Sequence, residues 1–278
     1  MQSKNYDIET AGRFGDHWQA FDQSGLAQDE KQELFRLYFR LFPWSVFGPE
    51  VVGLDVGCGT GRWAQCVAPL VGRLHCLDVS EGALAVARKN LKDFSNCAFH
   101  AASVAEMPVE DNSMDFVYCL GILHYVPDPL AALRCCVSKL KPGAPLLLYV
   151  YYSFENRPTW FRALAYSVGR VRSLICHCPY VIRWSFASGV AALLYYPLAR
   201  ASRLAEKLGF NVDVVPLSAY RERSYYTMRT DAFERFDQRW EHRFSRRQLA
   251  ETMRSAGLGG IQISDESPYW TAIGYKAI

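Results

Sequence analysis

The chain has no stretch approaching the roughly 20 consecutive apolar residues that a membrane-spanning helix needs. Its apolar run 189–198 is too short and contains Pro197, which would interrupt it. The opening residues MQSKNYDIETAGRFGDHW are polar and lack the apolar core of a secretory signal, so export is not expected and a cytoplasmic protein is. Long Lys/Arg tracts are missing, and a formal net charge of +3 is too small to point to nucleic acid. No internal repeat and no low-complexity tract is visible. Cysteine is present but its pattern excludes a disulfide framework. The nine cysteines, an odd number, fall mostly inside apolar runs, as buried thiols in a reducing compartment do. Cys176, His177 and Cys178 stand too close together for a tetrahedral zinc site and have no second Cys/His pair, so no metal is assigned.

What is present is ordinary globular material: 278 residues, half of them hydrophobic and 21% charged, enough for one α/β domain with an added substructure. From residue 51 short apolar runs alternate with helical patterns, the signature of right-handed βαβ units and a parallel sheet. The strands are expected at 51–56, 73–79, 97–101, 114–120 and 145–151, and helices at 61–70, 82–92 and 129–139. A helix over 29–41 precedes them and is expected to cross the ligand edge of the sheet. Near the end, a helix over 245–256 leads to strands 260–264 and 269–276, an antiparallel pair flanking a turn with Ser267 and Pro268. The expected fold is a Rossmann-like, seven-stranded, mostly parallel sheet with an antiparallel last strand and a helical insertion between strands five and six. Its parts are an N-terminal helical cap (1–50), a nucleoside-binding core (51–152), a helical substrate-covering insertion (153–230) and a C-terminal completion of the core (231–278).

The segment LDVGCGTGRWA, residues 54–64, ends a strand and opens a helix. Its glycines, Gly57, Gly59 and Gly61, permit a tight turn whose backbone approaches a ligand closely, with a helix N-terminus beyond. The spacing is GxGxG, and Arg62 stands where a dinucleotide fingerprint needs a small residue, which disfavours a pyrophosphate. Asp78 ends the next strand, placed to accept both hydroxyls of a ribose. Its alternative use as a helix cap is already served by Ser80. Asp55, inside the first strand, is costly to bury unless donors meet it.

These motifs in order, LDVGCGTG, then LDVS, then MPVEDNSMDFVYCLGILHYVPDP, then LKPGAPLLLYV, resemble the class I S-adenosylmethionine-dependent methyltransferase family. The resemblance is strong over 51–152 and weaker over 245–278. It implies S-adenosylmethionine as cofactor, with Gly57, Cys58, Gly59 and Gly61 facing the methionine moiety and Asp55 near its amino group. It further implies Asp78 and Val79 at the ribose, Ser103 and Val104 at the adenine, and Leu120 as another cofactor contact. The family often has Asp where Ser103 stands, and an uncharged hydroxyl accepts a hydrogen bond more weakly. GRFGDHW is similar to the segment that precedes the core in one branch of the family, where an aromatic residue closes over the cofactor; Phe14 and Trp18 are the candidates. They would otherwise simply pack the first helix.

Methyl transfer is an in-line displacement at an already activated carbon, so alignment and removal of one proton are all the protein must supply. His124, after the fourth strand, is the first candidate base, with shaping of the cofactor floor as its alternative. His242 is the second, with Asp237 beside it. Tyr125, Tyr225, Tyr226 and Arg229 are candidate acceptor contacts. The Asn/Asp-Pro-Pro-Tyr/Phe tetrapeptide of many nucleic-acid and protein amine methyltransferases is replaced by Cys119-Leu120-Gly121-Ile122, so nucleic acid is not expected as a partner. The reading is a methyltransferase acting on a hydroxyl or carboxyl of a small or lipid- or glycan-linked molecule. Nitrogen or carbon acceptors stay open, and a nicotinamide-dependent oxidoreductase and a non-catalytic nucleoside-binding module are the rivals. Charge is segregated: between Ser153 and Gly209 eight basic residues face Glu155 and Glu206, a net +6 that leaves −3 for the remainder. A basic, aromatic, apolar insertion suits either peripheral contact with a membrane or a lid over an amphipathic acceptor.

Overall fold

The computed structural model describes residues 5, 6, 8–212, 215–238 and 241–278. They form two compact units. The first gathers the described residues up to Gln23 with Lys31–Ser153 and His242–Ile278; the second gathers Ser24–Glu30 with Phe154–Glu241.

The first unit opens with α1 (Ile8–Ala20) and most of α2 (Gln28–Tyr38). Its βα core runs β1 (Gly48–Val56), α3 (Ala64–Val67), β2 (Val71–Asp78), α4 (Glu81–Asn90), β3 (Cys97–Ala101), β4 (Phe116–Leu120), α5 (Pro129–Lys139) and β5 (Pro145–Tyr149). With β6 (Leu258–Ile263) and β7 (Thr271–Lys276) from the C-terminal part, the seven strands stand in the order β3-β2-β1-β4-β5-β7-β6. All pairings through β5 are parallel, and those of β5 with β7 and of β7 with β6 are antiparallel. The expected Rossmann-like architecture is therefore the observed one. The strand order reverses between β1 and β4, and open α/β sheets bind ligands at the carboxyl ends of strands beside such a switch point.

Successive side chains of a strand point to opposite faces, and here both faces are buried. Val117, Cys119, Leu146 and Leu148 enter one core cluster, while Phe116, Tyr118 and Leu147 enter the other with Phe35 and Phe39 from the α2 region. That explains why β4 and β5 read as continuous apolar runs rather than alternating ones. Local chemistry sets the helix starts. Ser80 and Asp128 accept from Ala83 N and Ala131 N as N-caps of α4 and α5, and Pro129 sits where its missing N–H costs nothing. After the second unit the chain returns through α10 (Arg246–Ser255), opened by a reciprocal capping box of Ser245 and Gln248, to β6 (Leu258–Ile263) and β7 (Thr271–Lys276).

Several expected boundaries move. The helix expected over 61–70 shrinks to α3 plus a 3-10 turn, Ala68–Leu70, where Pro69 cannot donate. The helix expected over 29–41 stops at Tyr38, and β1 begins at Gly48, where pairing with Val71 extends the strand. Helix α1 falls within the expected helical cap, 1–50, in which only 29–41 was given bounds. A β-carbon on Gly15 would stand 2.6 Å from Ser80 Oγ, so the glycine is needed for close approach of α1 to the start of α4.

The second unit is helical: α6 (Thr159–Ile175), α7 (Tyr180–Val190), a π turn (Ala191–Tyr195), α8 (Tyr196–Lys207) and α9 (Tyr225–Asp237). The π turn directly precedes Pro197, which cannot donate the ordinary i to i−4 bond. Its core is small, Ala191, Tyr195 and Ala199 against Met228 and Ala232. A buried ion pair of Arg183 and Asp237 reinforces it, and Glu30 accepts from Ser224 N at 3.0 Å and from the Thr227 hydroxyl at 2.9 Å. Among the described residues no helix is long and apolar enough to cross a membrane.

The cap of α5 gives a direct check on this account. Asp128→Ala leaves an orphaned N–H and is expected to cost about 1 kcal/mol in urea unfolding at pH 7. A loss below about 0.3 kcal/mol would remove the cap from the stabilising features.

Candidate cofactor and active site

The chain leaves β1 in a left-handed turn, with φ of +76°, +53° and +76° at Gly57, Gly59 and Gly61. A β-carbon on Gly57 would collide with Ile122 at 2.1 Å, so both conformation and space exclude a side chain there. Gly57 N and Cys58 N donate to Leu77 O at 2.7 and 2.9 Å, which fastens the turn to the end of β2. Asp78 completes the fastening: its Oδ2 accepts from Gly59 N and its Oδ1 from Ser80 N, both at 2.9 Å. Burial raises the Asp78 carboxyl pKa above its ordinary value, and the amides of Ser80, Gly59 and Val79 oppose that shift.

Three further sequence candidates are buried at the same carboxyl edge of the sheet. Asp55, in β1, is 2% exposed, and its Oδ2 has no hydrogen-bond partner among the described residues. Burial drives its pKa well up, partly offset by the Tyr118 hydroxyl and reinforced by Asp78. Ser103, two residues past β3, is 4% exposed with an equally unmatched Oγ, and Val104 beside it is buried. His124 is fully buried, and neither ring nitrogen has a hydrogen-bond partner among the described residues. Buried polar atoms are nearly always satisfied, so three such side chains on one edge call for a ligand.

His124 lies in an aromatic cluster. Its ring stacks on Tyr151 at 3.8 Å between centroids, the Tyr125 and Tyr151 hydroxyls are 3.2 Å apart, and Arg243 stands 5.6 Å from the Tyr151 ring centre. Burial, then Arg243, then His242 hold the His124 imidazole well below its ordinary pKa, so it is neutral. His242 reaches this cluster through its backbone, donating to His124 O at 2.7 Å. Phe14 packs edge-on against Tyr125 at 5.1 Å. Trp18 covers the glycine turn: a β-carbon on Gly59 would lie 3.2 Å from its indole Nε1. Leu120 ends β4, half-buried, just before Gly121.

The structure thus gathers Phe14, Trp18, Asp55, the glycine turn, Asp78, Ser103, Leu120, His124, Tyr125 and His242 in the first unit. The remaining candidates belong to the second. Asp237 is engaged there by Arg183 and by Gln238 Nε2, Arg229 lies 5.5 Å from the Trp184 ring, Tyr225 is exposed, and Tyr226 packs where Gly25 leaves room. Tyr151 and Arg243 went unremarked in the sequence. The signal for Tyr151 was its place at the end of the fifth apolar run; Arg243 is one of several arginines near 240, and nothing in the sequence singles it out.

A parallel sheet with a glycine turn, a strand-end acid and unmatched polar atoms beside its switch point defines a nucleoside-binding Rossmann-like protein. Residues 54–148 of the 278 match the methyltransferase-domain family. Among curated proteins it resembles the ubiquinone biosynthesis O-methyltransferases of Aliivibrio fischeri, 36% identical over 114 residues, and Xanthomonas campestris, 38% identical over 97. The match covers 40% and 34% of this chain and 46% and 41% of theirs, less than half of the relatives' length. Among solved structures a possible exported protein from Bordetella parapertussis aligns over 96% of this chain and 79% of its own, with TM-score 0.54 and 15% identity, a likeness of fold alone.

The buried imidazole makes an acid-dependence testable. A histidine whose folded pKa lies below its unfolded value of about 6.5 favours the folded state above that pH, and this contribution is lost as pH falls below it. Urea unfolding at pH 7, 6 and 5 should show the native protein losing up to about 1.4 kcal/mol per pH unit more than His124→Phe. Equal losses in both would mean that the imidazole is not held neutral.

Proposed function

We propose that the protein transfers a methyl group from S-adenosylmethionine to a hydroxyl or carboxyl oxygen of a small or lipid- or glycan-linked molecule. The observation that carries the cofactor part is the set of unmatched buried atoms, Asp55 Oδ2 and Ser103 Oγ, flanking a turn that tolerates no side chain. S-adenosylmethionine presents donors of the matching kind, an ammonium and an adenine amino group, and its sulfonium supplies the activated methyl carbon. In this reading the glycine turn and Asp55 receive the methionine moiety. Asp78, whose two oxygens keep lone pairs beyond those used by backbone amides, takes the ribose hydroxyls, and Ser103 and Val104 meet the adenine. Trp18 and Phe14 exclude water from the turn.

The oxygen acceptor is supported by two things. The matched relatives are named as O-methyltransferases. His124, being neutral, offers an acceptor nitrogen to a phenol or acid without placing a second positive charge near the sulfonium. Tyr125 and Tyr151 pack against the His124 ring, Arg243 stands against the Tyr151 ring, and in this reading they orient the acceptor. A nicotinamide-dependent oxidoreductase is opposed by Arg62, whose guanidinium lies 4.2 Å from the Trp63 ring centre where a dinucleotide turn needs a small residue.

Methyl-labelled S-adenosylmethionine offered with phenolic, carboxylic and amine acceptors checks the reaction. Label in an alkali-stable ether or an alkali-labile ester is expected, and label appearing only in amines would overturn the oxygen assignment. Asp78→Ala should weaken cofactor binding by about 2–4 kcal/mol in calorimetry, the loss of two charge-assisted bonds; unchanged affinity in a folded variant would refute the ribose role. His124→Ala should bind cofactor normally and turn over about 10²–10⁴ times more slowly. A deficit of only a few-fold would reduce His124 to a shaping residue.

A further inference from the structure

We propose that the second unit docks on the surface of an anionic lipid bilayer through α6, α7 and α8. The inference stands apart from the reaction assigned above. Of the nineteen exposed large apolar side chains among the described residues, thirteen fall between Trp160 and Leu204. They include Tyr166, Leu174, Val181 and Leu193, exposed by 68%, 73%, 70% and 76%. Leu193 and Leu194 project at the π turn, just ahead of exposed Tyr196 and Leu198. Side chains this large are rarely left in water in such density without a function.

The charge of the same stretch selects the occupant. Between Glu155 and Glu206 there is no carboxylate at all, and there are seven arginines. Part of that charge is used internally. Arg183 pairs with Asp237, Arg172 faces Glu241 at 3.8 Å, Arg203 pairs with Glu222, and Arg200 donates to two backbone carbonyls. Arg162 and Arg170 are exposed on α6 and form no ion pair among the described residues. Apolar residues mixed with arginine and with Trp and Tyr, whose rings are amphipathic, match the layered chemistry of lipid headgroups over acyl chains. A protein partner would need an acidic face of equal extent, whereas an anionic bilayer offers negative charge everywhere the arginines reach. The helices would lie on the surface, because none is long and apolar enough to cross.

The full chain is to be sedimented with vesicles of phosphatidylcholine alone and of phosphatidylcholine mixed with phosphatidylglycerol, at low salt and at about 0.5 M salt. Binding is expected only to the anionic vesicles and should fall steeply with salt. Arg162→Gln with Arg170→Gln should weaken it by roughly fivefold per arginine, about thirtyfold together. Leu193→Glu with Leu194→Glu should abolish it without lowering the unfolding temperature, since both side chains are already in water. Should that pair fail to fold, Val181→Glu with Ile182→Glu carries the same expectation. No binding to anionic vesicles, or equal binding to both kinds at either salt, overturns the proposal. So does self-association without vesicle binding, which would assign the face to a second copy of the chain.

Discussion

The carboxylate of Asp78 holds the turn after β1 and the start of α4 in one piece, because its two oxygens accept from Gly59 N and Ser80 N. The glycine turn, the start of α4 and the approach of α1 are positioned against that fastening. The glycine turn can keep its left-handed backbone because the acid satisfies an amide that a tight turn would otherwise leave unpaired. Helix α4 starts where it does because the same side chain engages the amide of its cap residue, and α1 can settle on α4 because Gly15 lets it approach Ser80. A charged residue carries this role better than a neutral one, since bonds from amides to a carboxylate are shorter and about twice as strong as neutral ones.

The cost of the arrangement is desolvation. Burial moves Asp55, Asp78 and His124 toward their uncharged forms, raising the two carboxyls and lowering the imidazole, while His17 is pushed down to about 3. These shifts act in the same chemical direction. A site with two reluctant carboxylates gains by receiving a cation, and a histidine that stays neutral adds nothing to repel one. The low dielectric that makes burial of these groups expensive also strengthens each contact a cationic cofactor would make there.

Much of this was readable in the order of residues. Both faces of β4 and β5 are buried, so each produced an apolar run long enough to recognise, and the cap chemistry of Ser80 marked a helix start. The glycine turn and Asp78 stood out because backbone geometry there leaves so few residue choices. Helix α1 was given no bounds of its own since its glycines serve a contact with α4, which is a tertiary fact that no local pattern displays. Tyr151 and Arg243 escaped notice for a similar reason: Tyr151 matters through its stacking on His124, and Arg243 through its place against the Tyr151 ring, distant from it in the chain. Asp237 illustrates the reverse, an acid whose chain position suggested catalysis and whose carboxylate is engaged by Arg183.

That imbalance follows from the reaction itself. A cofactor carrying its own activated carbon asks the protein for alignment to within a fraction of an ångström, together with at most one proton acceptor. The residues that hold the cofactor are tightly constrained in type, since each must meet a fixed donor or leave room for backbone. Those that hold the acceptor need only shape and modest polarity, and many sequences supply both. The glycine turn, Asp78, Ser103, His124 and Tyr125 lie within the segment that matches a methyltransferase domain, 54–148, while Phe14, Trp18, Tyr151, His242 and Arg243 fall outside it.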